Sequence, residues 1–178
     1  MSKWIPASSL LCLVLILSSC SSYKLGNQPI AGIKSIAVAK VVDTTNEPRA
    51  AITLQKAIRG QIVNDASIPI KPPYQADATI YAIIKSFSSS GISARKNISE
   101  DDDQETYSSN QWQMSATISF KLITRKGEVL AEVDQIIGTS EYPDALDLTT
   151  FKENAQKLAL KQAAYKLSTY VLNPWEVE

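Results

Sequence analysis

The stretch "WQMSATISFKLI", residues 112–123, decides the fold. Trp112, Met114, Ala116, Ile118, Phe120 and Leu122 alternate with Gln113, Ser115, Thr117, Ser119 and Lys121. Successive side chains on a strand point to opposite faces, so this register predicts an antiparallel strand with one face buried and the other polar. "TRKGE" follows as a turn in which Gly127 is free to take positive φ. "VLAEVDQIIGTSEY", residues 129–142, supplies the return strand and ends at Pro143. In it Val129, Ala131 and Val133 share one face, and Glu132 and Asp134 share the other.

Upstream, "ADATIYAIIKSF", residues 76–87, is a strand with Ala78, Ile80, Ala82 and Ile84 on one side. Tyr81, Ile83 and Phe87 lie on the other, a pattern expected of a strand covered on both faces. Residues 88–111 turn polar, and they read as a long loop or as two strand ends flaring into one. "SIPIKPPYQ", residues 67–75, is too rich in proline to be other than an extended connection. The β-branched run "IKSIAVAKVV", residues 33–42, is the first strand. Asp43, Thr44, Thr45 and Asn46 then form a turn and offer N-caps. Glu47 and Pro48 suit the first turn of a helix running to about Asn64. Its apolar Ala51, Leu54, Ile58 and Ile62 fall at helical spacing.

The last element runs from about Asp147 to Leu172, with Asp147, Thr149 or Thr150 as caps, and Asn173 and Pro174 stop it. It has two apolar stripes. Leu160, Ala164, Leu167 and Val171 form one; Phe151, Ala155, Leu158, Tyr165 and Leu172 form another. A helix resting on a sheet needs one stripe, so the second packs on the other helix or awaits a partner. The element order is β-α-β-β-β-α. The expected fold class is α+β, a two-layer sandwich with two helices packed on one face of a four-stranded, mostly antiparallel sheet.

The N-terminus answers a different question. Lys3 precedes an apolar run through Leu10, Leu11, Leu13, Val14, Leu15, Ile16 and Leu17, too short to span a bilayer but suited to a signal-peptide core. It ends in Leu17-Ser18-Ser19-Cys20, which resembles the bacterial lipoprotein signal. The resemblance implies cleavage before Cys20, diacylation of its thiol and acylation of the new amine. Several acyl chains on one residue anchor a domain that a single chain would hold only marginally. The competing reading is an ordinary secretory signal cut elsewhere, with Cys20 left as a stray thiol, but no Ala-x-Ala site accompanies it. The expected organisation is a signal peptide over 1–19, a lipidated N-terminus and leash over 20–29, and one domain over 30–178. Within the leash, Tyr23 and Leu25 are possible docking points.

Composition excludes much chemistry. There is no histidine, which removes the commonest general base and metal ligand together. Cys12 lies inside the signal, so the mature chain keeps only Cys20; no disulfide framework, thiol nucleophile or zinc–thiolate site is expected. The glycines form neither GxGxxG nor a phosphate loop. The basic and acidic residues balance at 18 each, against a nucleic-acid partner. The run Glu100, Asp101, Asp102, Asp103 and Glu105 lacks the spacing of a calcium loop and reads as solvated. Glu132 and Asp134 face one side of a strand without neighbours that would shift their pKa values. No enzymatic activity, metal or cofactor is expected. Arg95-Lys96 in the polar segment and Arg125-Lys126 at the hairpin tip would make a cluster of four positive charges if both loops leave the same end of the sheet, ready for phosphate or carboxylate. The plainer reading is that loop tips are charged for solubility.

The whole arrangement resembles the LptE family, the lipopolysaccharide-assembly lipoproteins of the Gram-negative outer membrane. The matching features are the signal at Cys20, "SYKLG" just after it, and "IKSIAVAKVVDTTNEP" leading into the first helix. They continue with "ADATIYAIIKSF", "QWQMSATISFKLITRKGEVLAEVDQIIGTSEY" and the long final helix. The resemblance implies an LptE-like domain, lipid-anchored at the outer membrane, that partners the β-barrel LptD as plug and assembly factor and binds lipopolysaccharide. It faces the periplasm or lies in the barrel lumen. Ser21, where aspartate would signal inner-membrane retention in enteric bacteria, agrees with that location. Family members contact lipopolysaccharide through basic loop residues, and Arg95, Lys96, Arg125 and Lys126 are the positions able to do so here. The acidic run beside Arg95 departs from the family pattern. "IKSIAVAKV" also resembles the opening strand of curli-type secretion lipoproteins, so an accessory lipoprotein of another outer-membrane secretion apparatus is the alternative.

Overall fold

In the computed structural model, the described residues are 33–66, 68–98, 105–144 and 147–172. Cys20 and the leash lie outside them, as does the centre of the acidic run. The elements are β1 (Ile36–Val38), β2 (Val42–Asp43), α1 (Ala50–Ala66), β3 (Ala78–Ile98), β4 (Glu105–Thr124), β5 (Val129–Pro143) and α2 (Leu148–Leu172). The sheet runs β1-β3-β4-β5, with β2 also on β3. β1 and β2 lie parallel to β3, and the other pairings are antiparallel. Both helices lie over one face and share a single core, so the two-layer α+β class holds.

The expected first strand is divided in two. Val38 pairs with Ile80 but Val42 with Ile83, so one extra residue is accommodated between them. The sheet therefore has five strands, not four. The proline-rich connection lies alongside β1: Ile36 N donates to Pro69 O at 3.2 Å and Lys71 N to Ile36 O at 3.0 Å. Helix α1 begins at Ala50, later than Glu47, because Asp43 is used otherwise. Its Oδ1 accepts from Thr45 N (2.9 Å) and Thr45 Oγ1 (2.7 Å), closing an Asx turn. Asn46 and Arg49 then take left-handed φ of 59° and 66° before the helix can start. Leu54, Ile58 and Ile62 are buried as their spacing predicts, whereas Ala51 is only partly buried and Ala50 takes the core position at the helix start.

β4 follows its alternation throughout: Met114, Ala116, Ile118, Phe120 and Leu122 are buried. Its neighbours need corrections of phase. A register shift between Ile84 and Ser86 flips β3, so Phe87 turns to the helix side and pairs with Ala116. Tyr81 and Ile83 stay on the opposite face, 48% and 39% exposed, so among the described residues β3 is covered on one face, not both. β5 shifts likewise between the partners of Ile118 and Phe120, so Val133 and Ile136 both reach the core side. The polar segment is for the most part strand, since β3 and β4 pair out to Ile98↔Glu105.

The tightest contact joins β5 to α2. A Cβ on Gly138 would lie 2.5 Å from Ala163 N, and it would also collide with Ala159 O. The helix comes this close because Ala155, Ala159, Ala163 and Ala164 make its sheet-facing side small. Gln162 Oε1 accepts from Thr139 N and Oγ1, and Lys166 Nζ donates to Ile137 O at 2.7 Å. These bonds occupy free edge groups of β5. At the start of α2, Asp147 Oδ1 accepts from Thr150 N at 3.2 Å, so Asp147 is the cap. Gly138→Ala should lower stability by about 2 kcal/mol through overpacking. Leu158→Ala on the exposed side of α2 should change it by less than ~0.5 kcal/mol, and urea titration of the two variants checks the contrast.

Candidate binding surfaces

The two basic pairs do not meet. Arg95 and Lys96 pair with Ser108 and Tyr107 near the far end of the β3–β4 ribbon, within strand and not in a loop. Arg125 and Lys126 follow Thr124, which pairs with Ala78 at the near end. Seventeen strand positions separate Ala78 from Arg95, on the order of 50 Å at ~3.3 Å per residue. A cluster of four charges is ruled out by the antiparallel pairing itself.

Arg125 is moreover part of the scaffold. Its Nε and Nη2 donate to Ala76 O at 3.1 and 2.9 Å, and its backbone N donates to Asp77 O at 2.9 Å. Asp77 completes the knot: its Oδ2 accepts from Ser35 Oγ (2.9 Å) and Lys34 N (3.1 Å), while its own N donates to Ser35 O at 3.1 Å. The Ser35 hydroxyl, then the Lys34 amide, hold the Asp77 carboxyl below its usual range; Arg125 and Lys71 add to the effect against some desolvation. Sequence reasoning missed Ser35 and Asp77, since their link to Arg125 spans distant segments and carries no local pattern. Lys126 beside them is exposed.

The sheet face away from the helices is uncovered among the described residues. It carries Val42, Tyr81, Ile83 and Ile137, all exposed, among Thr117, Ser119, Lys121 and Glu132. Lys121 Nζ meets a Glu132 oxygen at 2.6 Å, and this bond holds the ammonium above its usual range. Glu132 is thus engaged in an ion pair, and Lys85 Nζ reaches across to Asp134 O at 2.7 Å. The face is mixed, polar with apolar points. Among the described residues no group of three or more His, Cys, Asp or Glu could hold a metal, and no helix is long and apolar enough to cross a membrane.

A cleft of about 360 Å³ opens on the other side, between the turn before α1 and the first half of α2. Phe87 and Leu160 floor it; Glu47, Arg49, Glu153 and Lys157 rim it with balanced charge. The second stripe of α2 divides. Ala155 and Leu172 are buried, whereas Phe151, Leu158 and Tyr165 are exposed.

No protein-family model matches the chain, and no curated protein matches it in sequence. The fold has solved relatives. A protein from Xanthomonas campestris superposes with a TM-score of 0.53 at 14% identity, over 84% of this chain and 88% of that one. A minor lipoprotein from Acinetobacter baumannii superposes with a TM-score of 0.50 at 8% identity, over 79% and 94%. Rare lipoprotein B from Shewanella oneidensis overlaps more loosely, with a TM-score of 0.44 at 12% identity, over 79% and 92%. What the chain shares at these identities is a fold, the two-layer α+β domain that a solved bacterial lipoprotein also uses.

Asp77 gives this end of the sheet a pH dependence. A carboxyl whose folded pKa is depressed stabilises the fold above its unfolded value and loses that contribution as pH falls through the folded one. Thermal melts of the wild type should therefore decline below about pH 4, and Asp77→Asn should flatten that part of the profile. An unchanged slope in the variant would remove Asp77 from the account.

Proposed function

We propose that this chain is a lipid-anchored outer-membrane protein that works by fitting against a β-barrel partner of the LptD type, as plug and assembly factor, and by binding lipopolysaccharide. The observation that carries the reading is the uncovered sheet face. Its hydroxyls, its Lys121–Glu132 pair and its isolated apolar side chains suit the wall of a barrel lumen, which is polar. Contacts of that kind are wet and need no continuous apolar patch. The signal ending at Cys20, the family-like order of segments and a fold that a solved lipoprotein also has support the same reading.

The test is retention of a barrel. The tagged chain extracted from outer membranes should carry a β-barrel protein with it. Tyr81→Asp with Ile83→Asp should reduce that retention by about tenfold while the melting temperature holds, since both side chains are surface-exposed. A ring of identical copies with no barrel would favour the secretion-apparatus alternative and sink this reading.

For lipopolysaccharide, the basic residues now divide by role. Lys126→Ala should weaken binding severalfold and leave the fold intact. Arg125→Ala should instead cost about 1 kcal/mol of stability, because it strips two hydrogen bonds from Ala76 O. Arg95 and Lys96 would belong to a separate contact at the other end of the ribbon. Unchanged affinity in Lys126→Ala, read by isothermal titration, would strike it from the binding site.

A further inference from the structure

Phe151, Leu158 and Tyr165 are 40%, 51% and 55% exposed. Their seven-residue spacing aligns them along α2, because seven residues make just under two turns. The line is about 21 Å long at 1.5 Å per residue, and Leu148 lies exposed beside its start. At 100° per residue, Lys157 and Lys161 fall on one flank, Lys152 and Lys166 on the other. Asn154, Gln162 and Thr169 fill the places between. Glu153, the helix's one acid, rims the cleft together with Lys157 one turn further on, and both lie farther from the stripe than Lys161.

We propose that this face of α2 docks on an anionic phospholipid surface. Phe151, Leu158 and Tyr165 enter the boundary between headgroups and acyl chains, and the four lysines lie over the phosphates. Charge complementarity selects a bilayer: lysines line both flanks, and the stripe itself meets one exposed acid, Asp147 at its N-terminal end, so the face is cationic over the rest of its length. Long lysine stems cover apolar area while their ammonium groups reach the headgroups. Lys166, already bonded to Ile137 O, keeps its charge at the rim of the face. A surface of this size binds weakly alone, so the inference rests on the Cys20 anchor to bring the helix to the membrane.

The test uses the full lipidated protein with Leu158→Cys, spin-labelled at that thiol and placed on vesicles of phosphatidylcholine alone or with about one third phosphatidylglycerol. The readout is collision with a water-soluble paramagnetic reagent. With anionic lipid the label should become severalfold less accessible, while a label at Lys56→Cys on α1 stays open on both vesicles. Replacing Lys152, Lys157, Lys161 and Lys166 by glutamine should lower the docked fraction by about fivefold per lysine removed. Equal exposure on the two vesicles overturns the proposal, and so does equal shielding on both, which would mean that protein covers the stripe. Flotation separates the anchor: a chain that floats only with anionic vesicles refutes the anchor and keeps the docking face, and one that floats with neither refutes both.

Discussion

A sheet covered by helices on one side only must keep every strand in phase with that side. β4 does so unaided: from Met114 to Leu122 each second side chain is buried. β3 and β5 cannot, and each inserts a register shift that moves its later residues by one position. Without the shift at Lys85, Phe87 would face outward and Ser86 would point at the helices. Without the shift in β5, Gly138 would lie on the wrong side, and α2 would lose the one place where its backbone can approach the strand. The core, the open face and the seat of the long helix all follow from this one constraint.

The same constraint explains how the edges are closed. Once α2 sits on β5, Gln162 and Lys166 fall within reach of strand groups that would otherwise be free to pair with another chain. At the other edge, the proline-rich connection shields β1, and Ser35 and Asp77 tie β1 to the start of β3. A guanidinium from the hairpin turn completes that corner. Charge in this region is spent on holding strands in register, and among the described residues Lys126 is the exposed member of the hairpin's basic pair with no such bond.

What the sequence made legible was local. The alternation of 112–122, the spacing of Leu54, Ile58 and Ile62, a cap among Asp147, Thr149 and Thr150 and the glycine at 127 each depend on a few neighbouring residues, and the structure has all of them, with Asp147 as the cap. The failures were non-local. Alternation alone groups Phe87 with Tyr81 and Ile83, because it runs across a shift that only pairing with β4 creates. Residues 90–98 carry no apolar period, so their strand character comes from register with 105–113 and is invisible in either segment alone. The split of 33–42 and the late start of α1 depend on how Asp43 and its neighbours turn, not on their composition. For the candidate site the limit was the same. Residue types marked Arg125 as a binder, whereas its bonds to Ala76 O are set by a partner 49 positions away.

The two surfaces left unpartnered lie on opposite sides of the body. The sheet face with Tyr81, Ile83 and Lys121 looks away from the helices, and the stripe of Phe151, Leu158 and Tyr165 looks away from the sheet. One layer of helix and one of strand separate them, roughly 10 Å between layer centres as for other packed layers. The two surfaces therefore do not overlap in area. Their chemistry also differs: the sheet face balances its charges within an ion pair, and among the described residues the helix face carries four lysines against Asp147 at its start and Glu153 beside Lys157. A balanced, hydroxyl-bearing face suits a partner read by shape and hydrogen bonds, while an unbalanced cationic face suits one read by charge. Raised salt should act on the second contact and spare most of the first, and this difference follows from the position of the acids on the chain: Glu132 is set beside Lys121, and Glu153 is turned from the stripe.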